Sequence, residues 1–137
     1  MAVNARNGAL LLDDTYNASP QSTLAALNLL EEMSGRKIAV LGDMLELGVY
    51  EEIGHRMVGV RAAEVADVLV TVGERAHMIA RSARKARFPK LTITELDNSE
   101  QAVKYLKDHL SKKDVVLVKG SRGMRMDSIV EELEDRK

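Results

Sequence analysis

The chain has 137 residues, 45% of them hydrophobic and 30% charged, which suffices for one domain with a buried core. The 20 basic and 21 acidic residues leave a formal net charge of −1, so the positive charge typical of nucleic-acid-binding proteins is absent. The sequence contains no cysteine, which excludes disulfides, thiolate metal sites and a cysteine nucleophile. No apolar run approaches the ~20 residues of a membrane span, and the N-terminal residues lack the apolar core of a secretory signal. We therefore expect a soluble, intracellular protein with no membrane insertion and no nucleic-acid partner.

Short apolar runs alternate with segments of helical spacing along the chain. Residues 1–6 are followed by Asn7-Gly8, a pair that favours a two-residue hairpin turn, so a short antiparallel edge strand is predicted at the N-terminus. Continuous apolar runs, typical of strands buried on both faces, occupy residues 9–12, 38–41, 68–72, 91–93 and 115–118. Residues 91–94 alternate between apolar and polar, which predicts a position near an edge of the sheet.

A segment with apolar residues at helical spacing follows each of these five runs. The residues are Leu24, Leu27, Leu30 and Met33; Ile53, Met57, Val60 and Val65; Ala76, Ile79 and Ala83; Val103, Leu106 and Leu110; and Met126, Ile129, Val130 and Leu133. Strands that alternate with helices favour parallel pairing through crossover connections. The sequence therefore predicts a Rossmann-like three-layer α/β domain whose sheet is mainly parallel.

Three loops that follow predicted strands are rich in polar residues and glycine. They occupy residues 13–20, 42–48 and 119–125. In open parallel sheets, ligands bind beyond the carboxyl ends of the strands, so we expect the three loops to share one edge and one site. Within the first loop, Ser19-Pro20 is typical of a helix N-cap followed by proline at the first helical position, whereas Asp14 is a candidate for ligand contact.

The other two loops leave alternatives open. Asp43 could cap the following segment or contact a ligand. Lys119, Ser121 and Arg122 combine two cations and a hydroxyl, which suits a carboxylate or phosphate, although a serine N-cap with solvated cations explains them equally well. The three histidines have no metal-ligand spacing, so no metal site is expected, and His55 is interpreted as structural or solvated. The basic residues between 81 and 90 are interpreted as a solvated helix end and loop.

The three loops together resemble the C-terminal domain of the Mur ligase family. The resemblance rests on Asp-Asp-Thr-Tyr-Asn-Ala-Ser-Pro at 13–20, Ala-Val-Leu-Gly-Asp-Met-Leu-Glu-Leu-Gly at 39–48 and Val-Lys-Gly-Ser-Arg-Gly-Met-Arg-Met at 118–126, with His55 and Val72-Gly73 between them. These motifs resemble most the branch that joins D-alanyl-D-alanine to UDP-N-acetylmuramoyl-tripeptide in peptidoglycan precursor synthesis. The resemblance covers residue 13 to the end of the chain and implies one domain over residues 1–137.

The resemblance also implies a reaction and a set of site residues. The family uses ATP and Mg²⁺ to convert the tripeptide carboxylate to an acyl phosphate, which the amine of the incoming dipeptide attacks. No phosphate loop of the form G-x-x-x-x-G-K-[ST] occurs, so the N-terminal and central ATPase domains of the family, the catalytic residues and the Mg²⁺ ligands are expected outside this chain, which alone should be inactive. Carried over from the family, Asp14 would contact the nucleotide ribose, with Tyr16 and Asn17 facing ATP. Asp43, Lys119, Ser121 and Arg122 would line the dipeptide pocket, where the cations would hold the dipeptide carboxylate, and Asp43 would hold its amine or a partner loop.

The resemblance further implies that this domain closes over ATP, works as a monomer and positions the dipeptide. Two other classes of protein remain open from the residues alone. The first is a regulatory nucleotide- or anion-binding module without catalysis. The second is a receiver-like signalling domain, against which the third predicted strand ends Val70-Thr71-Val72-Gly73 with no phospho-acceptor aspartate.

Overall fold

The computed structural model, which describes residues 1–86, 89 and 91–135, contains one six-stranded sheet with the order β1-β2-β6-β3-β4-β5. The strands are β1 (Ala2–Asn4), β2 (Leu10–Asp14), β3 (Arg36–Gly42), β4 (Val68–Val72), β5 (Thr92–Leu96) and β6 (Asp114–Lys119). The α-helices are α1 (Pro20–Glu31), α2 (Glu51–Val65), α3 (His77–Ala86), α4 (Ser99–His109) and α5 (Asp127–Leu133), and short 3₁₀ turns occupy Gly48–Tyr50 and Arg122–Met124. All neighbouring strands pair in parallel except β1 and β2, which are antiparallel. The predicted Rossmann-like α/β fold is confirmed.

Two hydrophobic cores cover the two faces of the sheet. Successive side chains of a strand point to opposite faces, so Leu41 packs on one side and Val40 on the other. Helices α1, α2 and α3 contribute to the core that contains Leu41, and helices α4 and α5 contribute to the core that contains Val40. The central strands are buried on both faces, which explains their unbroken apolar sequences.

The N-terminal hairpin differs in detail from its prediction. Strand β1 lies at the sheet edge, as expected, and β5 lies at the opposite edge. Ala5 N–H donates to the Ala9 carbonyl, which leaves three residues in the connection, and Gly8 closes it with φ +90°. Asn7 and Gly8 lie in a tight turn, as predicted, in which Gly8 N–H donates to the Ala5 carbonyl at 3.0 Å. The predicted loop length of two residues was wrong, because Gly8 is the left-handed residue that ends a three-residue loop.

The bounds of two strands differ from the sequence pattern. Strand β2 extends through Asp13 and Asp14, and β5 runs from Thr92 to Leu96 instead of stopping at residue 93. Polar residues are tolerated at the ends of both strands, so hydrophobicity alone placed the ends too early.

The helix that follows β3 packs with a different face from the predicted one. Ile53, Met57 and Val60 are 54%, 48% and 48% exposed, whereas Val58 is fully buried. The buried face also carries Gly54, His55, Gly59, Ala62 and Ala63. A Cβ atom on Gly59 would lie 2.4 Å from the carbonyl oxygen of Ile79, so α2 and α3 approach too closely for a larger residue at this position. Of the four residues predicted for the apolar face, Val65 is buried as expected. The other three were predicted wrongly, because the close crossing of α2 and α3 requires small residues.

Two local predictions concern the ends of helices. Ser19 is the N-cap of α1, its side chain accepts from Ser22 N–H, and Pro20 is the first helical residue, as predicted. In the basic stretch, Arg84 forms an ion pair with Glu95 at 2.7 Å. Residues 87, 88 and 90 of this stretch lie outside the described residues.

Candidate functional site

The three polar loops leave the sheet at the same edge. Strand β6 lies between β2 and β3, and its last residue, Lys119, is in register with Asp14 of β2 and Leu41 of β3. Because the three strands are parallel, the loops that follow them project from their carboxyl ends together. The prediction of one shared edge is confirmed.

Lys119 joins the last strand to the first loop. Its Nζ donates to Asp14 Oδ2 at 2.8 Å and to the Asn17 carbonyl oxygen at 2.9 Å. The lysine side chain is 3% exposed and that of Asp14 is 48% exposed. A buried ammonium requires such partners, and the pair leaves the outer side of the Asp14 carboxylate facing solvent. Lys119 therefore orients Asp14 and the backbone at Asn17.

The first loop is further ordered by its own side chains. Asp13 Oδ1 accepts from the Thr15 hydroxyl at 2.7 Å, and Asn17 Oδ1 accepts from Ala18 N–H at 2.9 Å. Tyr16 stands out from the loop and is 74% exposed. The structure thus presents the Asp14 carboxylate and the Tyr16 ring at the surface, while the side-chain oxygen of Asn17 is used within the loop.

Asp43, in the second loop, is directed into the protein. Its Oδ1 accepts from Ala76 N–H at 2.7 Å, and its Oδ2 lies 3.7 Å from Arg75 Nη1. Glu51 also contacts Arg75 at 2.6 Å, and this hydrogen bond raises the pKa of the guanidinium. The Asp43 side chain therefore contacts the loop that leads into α3.

The second and third loops are tied to each other and to α2. Ser121 N–H donates to the Asp43 carbonyl oxygen at 3.0 Å, and Ser121 Oγ accepts from Leu45 N–H at 2.7 Å. Met44 N–H donates to His55 Nε2 at 3.1 Å, and His55 Nδ1 contacts the Glu51 carbonyl oxygen at 2.7 Å. Because a carbonyl only accepts, the proton of this buried imidazole is on Nδ1. His55 is structural, as interpreted from the sequence.

Arg122 is exposed and lies over Tyr16. Its guanidinium carbon is 4.4 Å from the centre of the ring, which is a cation–π contact between the third loop and the first. Both residues line two separate clefts, so this contact forms the wall between them.

We define the first cleft and the second cleft by their lining residues. The first cleft has a volume of about 470 Å³ and is lined by Met1, Asp13, Asp14, Thr15, Tyr16, Arg122, Arg125 and Asp127. The second cleft has a volume of about 490 Å³ and is lined by Tyr16, Asn17, Leu45, Glu46, Ser121, Arg122 and Gly123. Of the predicted site residues, Asp14 opens to the first cleft, Asn17 and Ser121 to the second, and Tyr16 and Arg122 to both. Lys119 and Asp43 do not line either cleft.

Among the cleft residues that were not predicted from the sequence, two have an unusual backbone conformation. Glu46 and Arg125 have φ values of +64° and +53°, the left-handed region that residues other than glycine seldom adopt. Such conformations persist where the surrounding structure imposes them, and they are concentrated at binding sites. No sequence signal could have identified them, because neither residue type favours this conformation.

Two further observations concern metal ions and membranes. In residues 1–86, 89 and 91–135, no group of three or more histidine, aspartate or glutamate side chains is arranged to hold a metal ion. Within the same described part of the chain, no helix combines the length and the apolar character needed to span a membrane.

The chain is thus an α/β domain with two candidate ligand clefts beyond the carboxyl ends of its parallel strands. The family model described as "Mur ligase, glutamate ligase domain" matches residues 1–122. The chain belongs to the Mur ligase family.

The relatives within this family share one description. UDP-N-acetylmuramoyl-tripeptide–D-alanyl-D-alanine ligase of Bacillus subtilis is 37% identical over 134 residues, which cover 96% of this chain and 29% of that protein. The ligase of the same description from Escherichia coli is 36% identical, over 92% of this chain and 27% of that protein. This chain thus spans less than a third of the length of these relatives.

Solved structures that are similar to this chain include ligases named MurF. The MurF ligase of Thermotoga maritima in complex with ADP matches with a TM-score of 0.78 and 32% identity, over 95% of this chain and 29% of that one. A structure of MurF from Acinetobacter baumannii matches with a TM-score of 0.82 and 30% identity, over 97% of this chain and 29% of that one.

Proposed function

We propose that this chain is the C-terminal part of an ATP-dependent ligase that adds D-alanyl-D-alanine to UDP-N-acetylmuramoyl-tripeptide in the cytoplasm. The observation that carries this proposal is the pair of clefts beyond the carboxyl ends of the strands. The chain that forms these clefts is similar to ligases whose names state this reaction. The clefts share the Tyr16–Arg122 wall, so two ligands bound in them would lie side by side. A ligase that joins two substrates with the help of a nucleotide requires such proximity.

The first cleft is assigned to the nucleotide. The half-exposed Asp14 carboxylate, held by Lys119, would accept hydrogen bonds from the ribose hydroxyls. Tyr16 supplies an aromatic face at the border of the same cleft, and Asn17 follows it in the loop. The MurF structure from Thermotoga maritima was solved with ADP, which supports nucleotide binding by proteins of this kind.

The second cleft is assigned to the incoming dipeptide. Arg122 is its exposed cation and would bind the dipeptide carboxylate. Ser121, which is 6% exposed, and the buried Lys119 and Asp43 would shape this region by holding the three loops together. We therefore assign direct contact to Arg122 and a positioning role to Lys119 and Asp43.

ATP and Mg²⁺ are the cofactors of this proposal, and Mg²⁺ is not assigned to residues of this chain. The described residues supply no ligand cluster for a metal ion. When bound in the first cleft, ATP would supply the phosphoryl group that activates the tripeptide carboxylate. The part played by this domain would be to bring the dipeptide amine to that carboxylate and to exclude water from the activated group.

The experiment is a coupled enzyme assay of the intact protein, by which we mean the full-length ligase proposed to contain this chain. The assay contains ATP, Mg²⁺, UDP-N-acetylmuramoyl-tripeptide and D-alanyl-D-alanine. We expect ADP release that requires both substrates, together with a product whose mass is that of the joined molecule. If the protein binds nucleotide but forms no product with any pairing of these substrates, it is a regulatory binding module and the proposal is wrong.

A further inference from the structure

Glu46 is the charged residue of the second cleft that the proposed function leaves without a role. It is exposed, it lines the cleft together with Arg122, and its backbone has the unfavourable φ of +64°. In the part of the chain that the structure describes, no hydrogen bond or ion pair engages its carboxylate. By contrast, both carboxylate oxygens of Asp43 face protein groups.

The conformation of Glu46 is imposed by the residues on either side. Met44 N–H is fixed to His55, Leu45 N–H is fixed to Ser121, and the Leu47 carbonyl accepts from Tyr50 N–H at 3.1 Å. These bonds connect the loop to α2, to the third loop and to the following 3₁₀ turn. Such a conformation costs stability, and it persists only where the surroundings over-determine it.

The charges of the second cleft are complementary to a zwitterion. Among its lining residues, Glu46 is the acid and Arg122 is the cation. D-alanyl-D-alanine carries one ammonium and one carboxylate, and a charged partner roughly doubles the strength of a hydrogen bond.

We propose that the Glu46 carboxylate binds the ammonium of the incoming dipeptide and thereby selects acceptors with a free amino group. This inference rests on the proposed function. Arg122 and Glu46 together then fix the direction in which the dipeptide lies, with its amino end toward the second loop.

The test uses the intact protein and varies the dipeptide, with ATP and the tripeptide substrate saturating. Glu46→Gln should raise the KM for D-alanyl-D-alanine by roughly 10- to 150-fold, the range of hydrogen bonds to charged groups. The KM for ATP should not change. Glu46→Gly should show the same defect without a lower Tm, because glycine tolerates the positive φ. Glu52→Gln, which removes an exposed carboxylate from the first turn of α2, is the matched control and should behave as the wild type.

A second ligand separates recognition of the amine from the shape of the cleft. N-acetyl-D-alanyl-D-alanine has the carboxylate but no ammonium, so it should inhibit the wild type and Glu46→Gln with the same Ki. If its Ki rises in Glu46→Gln as much as the KM for the dipeptide, Glu46 only shapes the cleft and the proposal is wrong. An unchanged KM in both Glu46 variants of an active enzyme also overturns it, whereas a wild-type protein that does not use the dipeptide overturns the proposed function as well.

Discussion

The side chains of the candidate site fall into two groups, exposed and buried. Arg122, Tyr16 and Asp14 are open to solvent, whereas Lys119 and Asp43 are buried and bonded to other loops. The buried group holds the exposed one in place, as the contact of Lys119 with Asp14 shows. A substitution at a buried position should therefore act through its partner.

The coupling of Asp14 and Lys119 can be measured in the intact enzyme. Asp14→Ala should raise the KM for ATP by roughly 10- to 150-fold, because it removes a charged acceptor from the first cleft. Lys119→Met should raise the same constant, since the carboxylate loses its orientation. In a double-mutant cycle, the KM for ATP of the double variant should lie within a few-fold of the KM of Asp14→Ala. Fully additive effects would show that Lys119 acts on a ligand by itself.

His55 is a support residue whose loss should appear in stability. His55→Leu leaves Met44 N–H without its acceptor in a buried position, which should lower the free energy of unfolding by about 1–3 kcal/mol. The measurement is urea-induced unfolding of both proteins. Met57→Gln, a change at an exposed position of the same helix, should have little effect. Equal stabilities of wild type and His55→Leu would contradict the structural role.

The close contact between helices α2 and α3 depends on the lack of a side chain at Gly59. Gly59→Ala would place a methyl group 2.4 Å from the Ile79 carbonyl oxygen and 2.7 Å from Ser82 Cβ. The helices must then separate, and we expect a loss of about 1–3 kcal/mol in the free energy of unfolding, despite the higher helix propensity of alanine. Val60→Ala, at an exposed position one residue further, should cost much less in the same measurement.

At the amino-terminal ends of the central strands, away from the clefts, an ion pair joins Arg36 of β3 to Asp114 of β6. Arg36 Nε and Nη2 donate to the two carboxylate oxygens of Asp114 at 2.8 and 2.9 Å, and Ser111 N–H donates to the same carboxylate at 2.8 Å. Burial alone would raise the pKa of Asp114, but the hydrogen bonds from Arg36 and Ser111 outweigh it and hold the pKa below its usual value.

This lowered pKa predicts a pH-dependent stability. Ionised Asp114 contributes fully to the free energy of unfolding above the pKa of an unfolded aspartate, about 3.9. This contribution is lost as the pH falls through the lower pKa of Asp114 in the folded protein. Asp114→Asn should therefore be less stable than the wild type at pH 7, and the difference should shrink below about pH 4. Urea-induced unfolding of both proteins at pH 7 and below about pH 4 measures this difference in stability. A difference that is the same at both pH values would contradict the role of Asp114.

For the molecule as a whole, the site is an open edge and not an enclosed active site. Both clefts are bounded by loops on one side, and the described residues hold no metal cluster. Such an edge needs a second surface before it can exclude water.

The chain by itself should therefore be inactive. With ATP, Mg²⁺ and both substrates, phosphate release from the 137-residue chain should remain at background. Turnover that co-purifies with the chain through successive columns would contradict this expectation and require a complete site within it.

The architecture and the common position of the three loops could be predicted from the sequence. Buried parallel strands must be apolar on both faces, and helices must carry an apolar stripe, so alternation between these patterns predicts the layers. Ser19-Pro20 predicted the start of α1, because capping depends on neighbouring residues only. The three loops were assigned to one edge for an equally general reason, since parallel strands end on the same side.

The side chains that face the clefts could not be predicted from the sequence. The buried face of α2 is set by the close approach of α3 at Gly59. The spacing of apolar residues along α2 carries no information about this approach. Asp43 turns inward because Ala76 N–H, 33 positions along the chain, needs an acceptor there. Glu46 faces the second cleft because bonds to residues elsewhere in the chain impose its backbone conformation. Contacts between distant parts of the chain set these directions, and no local pattern of residues encodes them.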